Sequence, residues 1–258
     1  MPYAMLRTGS LFFKTTDCTG GKNPRGSIFF IHGAGGDHQR WCNQLDPGFP
    51  GWCLVGIDLP GHGASGGVAS NRISDYTDAL KEFMEKGGLP RPYLLVGHSM
   101  GGNIALQAAI SFPQLVGGLI LVGSGARMPV NPQMLEQLNQ GTFDTSFLKI
   151  AYSKEVDPAL LQSELEKWVH ASQQQLFEDF TACNSFDVSD RIETIKAPTL
   201  VLVGDQDKMT PLKSSQFLNL GINGSTLVVI PGSGHHPMLE KPLETNQAIQ
   251  SFLDQRFA

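Results

Sequence analysis

The chain has 258 residues, of which 41% are hydrophobic and 17% are charged, and its formal net charge is -5. This balance provides no basic field that would attract nucleic acid or an anionic membrane surface. No apolar run approaches the roughly 18 residues that predict a membrane-spanning helix. We therefore expect a soluble protein that acts on a small-molecule substrate, as a monomer or small homo-oligomer, without nucleic-acid or membrane partners.

Cysteine usage and the first residues bear on the cellular compartment. The cysteines show no C-x-x-C spacing, which favours reduced thiols over a disulfide framework or a zinc site. The first seven residues carry neither a basic region followed by an apolar core nor a cleavage signature. We therefore predict a cytoplasmic location. The cysteines are Cys18, Cys42, Cys53 and Cys183.

Strand patterns begin close to the first residue. Residues 4–8 and 11–15 flank Gly9-Ser10, a two-residue connection that predicts an antiparallel hairpin at one edge of a sheet. Six continuous apolar runs follow, and such runs are typical of parallel strands covered on both faces. The runs are 28–31, 53–57, 93–96, 119–122, 200–203 and 227–230.

Helical patterns alternate with these runs. One has apolar residues at positions 76, 79, 80, 83 and 84, with Ser74 as its predicted N-cap. Alternating strands and helices predict the α/β class. With the hairpin, we expect a mostly parallel sheet of about eight strands.

The segment 127–187 interrupts this alternation, because it contains helical patterns and no run typical of a strand. Asn131-Pro132 and Asp157-Pro158 each predict an N-cap followed by proline in the first helical turn. An all-helical insertion at the carboxyl edge of a sheet, where ligands bind, predicts a lid. We therefore predict a core domain of residues 1–126 and 188–258 and a helical lid of residues 127–187.

A serine motif, Gly97-His98-Ser99-Met100-Gly101, lies between the apolar run 93–96 and a helical pattern. A strand that turns directly into a helix exposes the turning residue as a nucleophile and requires small neighbours. The same pattern, a serine with a glycine two residues before it and another two residues after it, occurs again at Gly63-Ala64-Ser65-Gly66-Gly67. This second segment lies in a glycine-rich loop with no strand before it. We predict that Ser99 is the nucleophile and that Ser65 is an ordinary loop residue.

A serine nucleophile needs a base within hydrogen-bond reach and an acid that fixes the base's tautomer. Two loops follow predicted strands and therefore emerge at the same edge of the sheet as Ser99. The first offers Asp205 and Asp207 as acids, and the second offers His235 and His236 as bases.

Five segments together resemble the α/β-hydrolase superfamily, in particular its lidded esterase-like serine hydrolases. Their order, serine then aspartate then histidine, is the order that this fold uses. The resemblance implies a three-layer α/β-hydrolase fold with an inserted helical lid. It also implies that Asp207 is the acid, ahead of Asp205, and that His235 is the base, ahead of His236. The segments begin at His32, Asp58, Gly97, Gly204 and Gly234.

The resemblance also assigns supporting roles. The backbone N–H groups of Ala34 and Met100 are expected to form the oxyanion hole. Asp58 and His62 resemble a structural turn, and His98 is expected to pack under the elbow. The early glycine loop lacks G-x-G-x-x-G spacing, and the histidines lack H-E-x-x-H spacing, so we expect neither a cofactor nor a metal.

The predicted activity is hydrolysis of a carboxylic ester or related acyl bond of a small, apolar substrate. A C–C bond hydrolase, thioesterase, lactonase, perhydrolase or hydroxynitrile lyase would use the same triad, and fold does not choose the bond. Serine at position 99 argues against haloalkane dehalogenases and epoxide hydrolases, which place aspartate there. A receptor-like binding protein with incidental turnover is the alternative from another class.

Overall fold

The computed structural model describes residues 2–16, 24–46 and 48–257. Within these residues, eight strands form one sheet. The strands are β1 (Tyr3–Leu6), β2 (Gly9–Thr15), β3 (Ser27–Ile31), β4 (Cys53–Ile57), β5 (Tyr93–His98), β6 (Gly118–Val122), β7 (Thr199–Gly204) and β8 (Thr226–Ile230).

Helices follow most of the strands. The α-helices are α1 (Cys42–Leu45), α2 (Ile73–Lys86), α3 (Met100–Ser111), α4 (Pro132–Asn139), α5 (Pro158–Val169), α6 (Gln173–Ser185), α7 (Leu212–Gly221), α8 (Pro237–Glu240) and α9 (Pro242–Arg256). Short 3₁₀ helices lie at His38–Trp41, Thr145–Ala151 and Ile192–Thr194.

The sheet has the order β1-β2-β4-β3-β5-β6-β7-β8. β1 and β2 pair antiparallel at one edge, and the pairs from β4 to β8 are parallel. Successive strand residues point to opposite faces. Phe29 packs into the core beneath α2 and α3, whereas Phe30 packs into the core beneath α9. The predicted α/β-hydrolase fold is confirmed.

The N-terminal hairpin exists, but its predicted turn is wrong. Leu6 pairs with Gly9, so Arg7 and Thr8 form the turn and Gly9-Ser10 begins β2. Contacts distant in sequence set this register: the Glu82 carboxylate accepts the Arg7 N–H at 3.2 Å, and the Ser10 carbonyl accepts the Gly66 N–H at 2.8 Å.

The predicted N-cap Ser74 is also wrong, because α2 begins at Ile73 and Ser74 lies in its first turn. Ser70 shapes the entry to the helix instead. Its hydroxyl oxygen accepts the Arg72 N–H at 3.2 Å and donates to the Asp75 carboxylate at 2.7 Å. Ser70 therefore links the residue before the helix to the first helical turn, and the helix has no side-chain N-cap bond.

Cysteine usage also requires a correction. Cys53 takes part in a disulfide bond, so the prediction of reduced thiols is wrong at this residue. Cys42 and Cys183 are free thiols, and Cys18 lies outside the described residues. Cysteine usage thus no longer supports a cytoplasmic location. Separately, the described ranges contain no helix long and apolar enough to cross a membrane.

The helical segment, residues 127–187, connects β6 to β7. The predicted N-caps are confirmed: the Asn131 side chain accepts the Gln133 N–H, and the Asp157 side chain accepts the Ala159 N–H. The segment has its own apolar cluster, which packs against Ala34 and Met209 of the rest of the chain. That cluster comprises Met134, Leu138, Phe143, Leu148, Trp168, Leu176 and Phe180.

Two buried polar clusters also join the helical segment to the core. In the first, the Arg40–Glu164 cluster, Arg40 forms an ion pair with Glu164 of α5. The Arg40 guanidinium lies 5.0 Å from the centre of the Trp168 ring, and the Lys167 ammonium lies 2.6 Å from the other Glu164 oxygen. In the second cluster, Asp179 of α6 accepts three hydrogen bonds from the core.

Candidate active site

Ser99 forms the sharp turn between β5 and α3. Its φ of +52° and ψ of -117° place it in a region that favours glycine, and it is the only non-glycine residue with positive φ among those described. Such backbone strain costs on the order of 1–3 kcal/mol and occurs at functional sites. A Cβ atom on Gly97 would lie 2.2 Å from the Gly101 carbonyl oxygen, so the tight turn requires glycine there.

His235 and Asp207 form a buried pair at the same edge of the sheet. His235 Nδ1 lies 2.9 Å from Asp207 Oδ2. Burial acts to raise the pKa of Asp207, but the neighbouring His235 and the donors around the carboxylate outweigh it and hold the pKa below its ordinary value. An ionised Asp207 therefore accepts the proton on Nδ1 and leaves His235 Nε2 as the basic nitrogen.

Thr210 holds the Asp207 carboxylate from two sides. Its hydroxyl donates to Asp207 Oδ2 at 2.7 Å, and its N–H donates to Oδ1 at 2.8 Å. The Met209 N–H donates to Oδ1 as well, also at 2.8 Å. These bonds satisfy both oxygens and fix the carboxylate plane against the imidazole.

The two rival residues of the sequence analysis have other partners. Asp205 accepts the Gly232 N–H at 2.8 Å and thereby shapes the histidine loop. His236 stacks on Tyr152 with 4.8 Å between ring centres, and burial lowers its pKa well below the ordinary value. The structure thus brings His235 and Asp207 together, and neither rival takes part in that pair.

The glycine loop after β3 runs directly against Ser99. A Cβ atom on Gly33 would lie 3.1 Å from Ser99 Cβ. Ala34, the next residue, lines the same cavity as Ser99. Met100 begins α3, where unpaired N–H groups and the positive end of the helix dipole favour an anion. Ala34 thus lines the cavity of Ser99 and Met100 follows Ser99 in the chain, while their role as oxyanion donors stays a prediction.

Ser65, the second serine motif, has structural contacts only. Its hydroxyl donates to the Asp58 carbonyl at 2.6 Å and accepts the Phe12 N–H at 2.8 Å. The Asp58 carboxylate accepts the His38 N–H at 2.7 Å and the Ala64 N–H at 2.8 Å. These bonds tie the loop after β4 to the hairpin and to the first 3₁₀ helix.

His98, beside Ser99, is buried and neutral. Burial first, and the neighbouring His235 second, lower its pKa well below the ordinary value. Its Nε2 lies 2.9 Å from the His235 carbonyl oxygen, so a neutral imidazole donates this bond. His98 thus packs beneath the elbow and fixes the backbone of the histidine loop.

Ser99 and His235 face a small cavity of about 30 Å³. A cavity of this size holds one or two water molecules. None of its lining residues is lysine, arginine, aspartate or glutamate, and four of them belong to the helical segment. The lining residues are Ala34, His98, Ser99, Leu148, Ala151, Trp168, Phe180, Met209, His235 and His236.

Sequence reasoning missed three residues at this site. Gly123, with φ of +52°, ends β6 beneath the pair, where a Cβ atom would lie 3.1 Å from His235 Nδ1. Thr210 could have been found from its place three residues after Asp207, since such side chains bond nearby backbone and carboxylate groups. Asp179 carries no local signal, because all its partners are distant in sequence.

Comparison with known proteins identifies the family. The family model described as "Alpha/beta hydrolase family" matches residues 28–248. The chain therefore belongs to the alpha/beta hydrolase family. Its structure aligns with one titled "Structure of a thermophilic esterase" at a TM-score of 0.81 and 30% identity, covering 98% of this chain and 96% of that one.

Curated relatives are similar over most of the chain. It is 29% identical over 254 residues to the 2-hydroxy-6-oxo-6-phenylhexa-2,4-dienoate hydrolase of Comamonas testosteroni, covering 89% of this chain and 88% of that protein. It is 26% identical over 250 residues to the dihydrolipoyllysine-residue acetyltransferase component of the acetoin cleaving system of Cupriavidus necator. That match covers 88% of this chain and 63% of the relative. The family and its hydrolase members make this chain a hydrolase.

Proposed function

We propose that the protein is a serine hydrolase that cleaves a carboxylic ester of a small, uncharged, apolar substrate. His235 Nε2 removes the Ser99 proton, and Ser99 Oγ attacks the ester carbonyl. Asp207 stabilises the imidazolium, while the N–H groups of Ala34 and Met100 hold the oxyanion. The alcohol leaves with the proton from His235, and water then releases the acyl group by the same steps.

The observation that carries this proposal is the 2.9 Å contact between His235 Nδ1 and Asp207 Oδ2 beside the strained Ser99 turn. A hydroxyl at neutral pH needs such an oriented base. The buried pair supplies one, since Asp207 is ionised and both of its oxygens are already satisfied. The hydroxyl of Ser65, in the second motif, is instead held by the Asp58 carbonyl and the Phe12 N–H.

The cavity lining supports an uncharged substrate. Apart from Ser99 its residues are apolar or histidine, and burial lowers the pKa of both His98 and His236. The nearest guanidinium, Arg40, contacts the Trp168 ring and is paired with Glu164. A substrate carboxylate would therefore be buried without a partner, which is costly.

We also propose that the helical segment acts as a lid. Leu148, Ala151, Trp168 and Phe180 close the cavity from that segment. A cavity of about 30 Å³ is too small for an ester, so the segment must move to admit one. Excluding water would then strengthen the hydrogen bonds to the oxyanion.

A C–C bond hydrolase is the second candidate, because the name of the Comamonas testosteroni relative describes hydrolysis of a dienoate. The same serine, histidine and aspartate would serve that reaction. A dienoate carries a carboxylate, however, and the cavity lining offers no cation to receive it. We therefore place the neutral ester first.

The test is turnover of p-nitrophenyl esters of increasing acyl length, with lactones, thioesters and a 6-oxo-dienoate in parallel. Short esters should turn over fastest, and Ser99→Ala should lower kcat by about 10⁴-fold or more. Ser65→Ala, in the second motif, should keep kcat within about threefold because Ser65 contacts only backbone. Turnover of the dienoate alone would favour C–C cleavage, and single-turnover acylation with saturable binding would favour a receptor.

A further inference from the structure

Asp179 is a fully buried carboxylate on α6, in the helical segment, and all of its described hydrogen bonds go to the core. Its Oδ2 accepts the Gly35 N–H at 2.8 Å and lies 2.8 Å from His62 Nε2. Its Oδ1 accepts the Tyr76 hydroxyl at 2.6 Å. One side chain of the helical segment thus joins the glycine loop, the loop after β4, and α2.

The hydrogen bonds of His62 determine the charges of His62 and Asp179. His62 Nδ1 lies 3.0 Å from the Pro60 carbonyl oxygen and Nε2 faces the Asp179 carboxylate, so both ring nitrogens meet acceptors. Only the imidazolium donates from both nitrogens. Burial acts to lower the pKa of His62, but Asp179 outweighs it and raises the pKa above the ordinary value. His62 and Asp179 form an ion pair.

Gly35 directly follows Ala34, the proposed oxyanion donor. On one side of Ala34, the Gly33 carbonyl accepts the Gly36 N–H at 3.1 Å, which holds the peptide that carries the Ala34 N–H. On the other side, the Gly35 N–H points to Asp179 at 2.8 Å. The core therefore fixes the Gly33–Ala34 peptide, and the helical segment fixes the Ala34–Gly35 peptide.

The same segment packs on this loop through apolar contacts. Gly35 has a φ of +60°, and a Cβ atom there would lie 2.5 Å from Leu176 Cδ2 and 2.8 Å from the Trp168 ring. Phe180, next to Asp179, lines the cavity. Movement of α6 away from the core would therefore open the cavity and release the Gly35 N–H in one step.

We infer that Asp179 is a positioning residue through which the closed helical segment orders the oxyanion loop. The peptides on both sides of Ala34 are then fixed only when the segment is closed, because the Ala34–Gly35 peptide depends on Asp179. This inference rests on the proposed serine hydrolase function and adds the coupling between closure and the oxyanion hole.

The test is the rate at which a fluorophosphonate labels Ser99, since this reaction needs the base and the oxyanion hole but no particular substrate. Asp179→Asn keeps the volume but removes the charge. With its amide N–H₂ group opposite Gly35 the bond is lost, and with that group opposite Tyr76 the Gly35 bond remains but is no longer charge-assisted. We expect a labelling rate and kcat about 10- to 100-fold lower, with KM for a short ester changed by less than about threefold.

Two variants separate positioning from general destabilisation. Tyr76→Phe removes the bond to Oδ1 and spares the Gly35 bond to Oδ2, so it should slow labelling much less than Asp179→Asn. Gln173→Ala removes bonds to the Phe143 backbone inside the helical segment, and it should lower Tm while labelling stays within about twofold. If Asp179→Asn does not fold, Asp179→Glu replaces it, because the longer side chain keeps the charge beside His62 but displaces the carboxylate from Gly35, and a slower labelling rate is again expected.

The outcomes are distinguishable. Wild-type protein that is not labelled at Ser99 would overturn the proposed function and this inference with it. Wild-type labelling with an equal rate in folded Asp179→Asn, or in Asp179→Glu as its substitute, would overturn the inference alone. A labelling rate in Gln173→Ala as low as that in Asp179→Asn would also overturn the inference. Loosening of the helical segment would then explain the slower labelling without the Gly35 bond.

Discussion

The catalytic edge of the sheet and the interface between the helical segment and the core are built differently. At the edge, Ser99 and Asp207 follow the fully buried strands β5 and β7, and His235 follows the partly exposed edge strand β8. At the interface, buried charges make specific contacts: Arg40 with Glu164, and Asp179 with His62. A buried ion pair contributes little net stability but is costly to break on one side. The interface therefore suits a segment with one well-defined closed position.

This difference also explains what could be predicted from the sequence. Ser99 was found because an apolar run, a glycine-flanked serine and a helical pattern are adjacent in the chain. The acid and base loops were found because the ends of parallel strands share an edge, although the choice of Asp207 and His235 came from the family resemblance. Such features are local, and their places follow from strand ends.

The interface could not be predicted in this way. Asp179 lies 144 residues from Gly35, 117 from His62 and 103 from Tyr76. Helical periodicity indicates which face of α6 is apolar but not which core group meets a carboxylate on it. The hairpin turn at Arg7 was missed for the same reason, because Glu82 is 75 residues away.

The largest expected effect is at the catalytic edge. Asp207→Asn should lower kcat by about 10⁴-fold, because an amide can donate to Nδ1 and favour the wrong histidine tautomer. The measurement is steady-state hydrolysis of a short p-nitrophenyl ester. Asp205→Asn is the matched control, since the asparagine oxygen can still accept the Gly232 N–H. Its kcat should stay within about threefold of the wild-type value. Equal losses in both variants would contradict the assignment of Asp207.

At the interface, Glu164→Ala should lower the free energy of unfolding by about 3–5 kcal/mol, since it leaves the Arg40 guanidinium buried without its carboxylate. Urea denaturation measures this change. Glu166→Ala, on the exposed face of α5, is the control and should change stability by less than about 0.5 kcal/mol. A loss in Glu164→Ala no greater than in the control would show that the cluster does not hold the segment.

Stability should also depend on pH through His62. Its neighbours are Asp179, Asp58, Tyr76 and the ring of His32, and its pKa is raised above 6.5. The stabilising contribution of charged His62 is therefore fully present below pH 6.5 and is lost as the pH rises through the raised value.

Comparison of wild type with His62→Gln isolates this contribution. The difference in unfolding free energy should shrink as the pH is raised from about 6 to about 9. Urea denaturation at each pH measures it. A difference that grows with pH would mean that His62 is neutral in the folded protein.

The smallest expected effect returns to the catalytic edge. Ser99→Gly should raise the free energy of unfolding by up to about 1 kcal/mol, because glycine relieves the strain at a φ of +52°. It should also abolish turnover. Urea denaturation of Ser99→Gly beside Ser99→Ala measures the gain, since alanine keeps the strain. Greater stability in the alanine variant would contradict a strained turn.

The most direct test of the central claim is the site and rate of fluorophosphonate labelling, read by mass spectrometry of peptides. We predict that one phosphonyl group attaches to Ser99, and that His235→Ala slows the reaction by about 10³-fold or more while His236→Ala slows it far less. Labelling at Ser65, or at Ser99 with a rate unaffected by His235→Ala, would contradict a nucleophile activated by the buried histidine–aspartate pair.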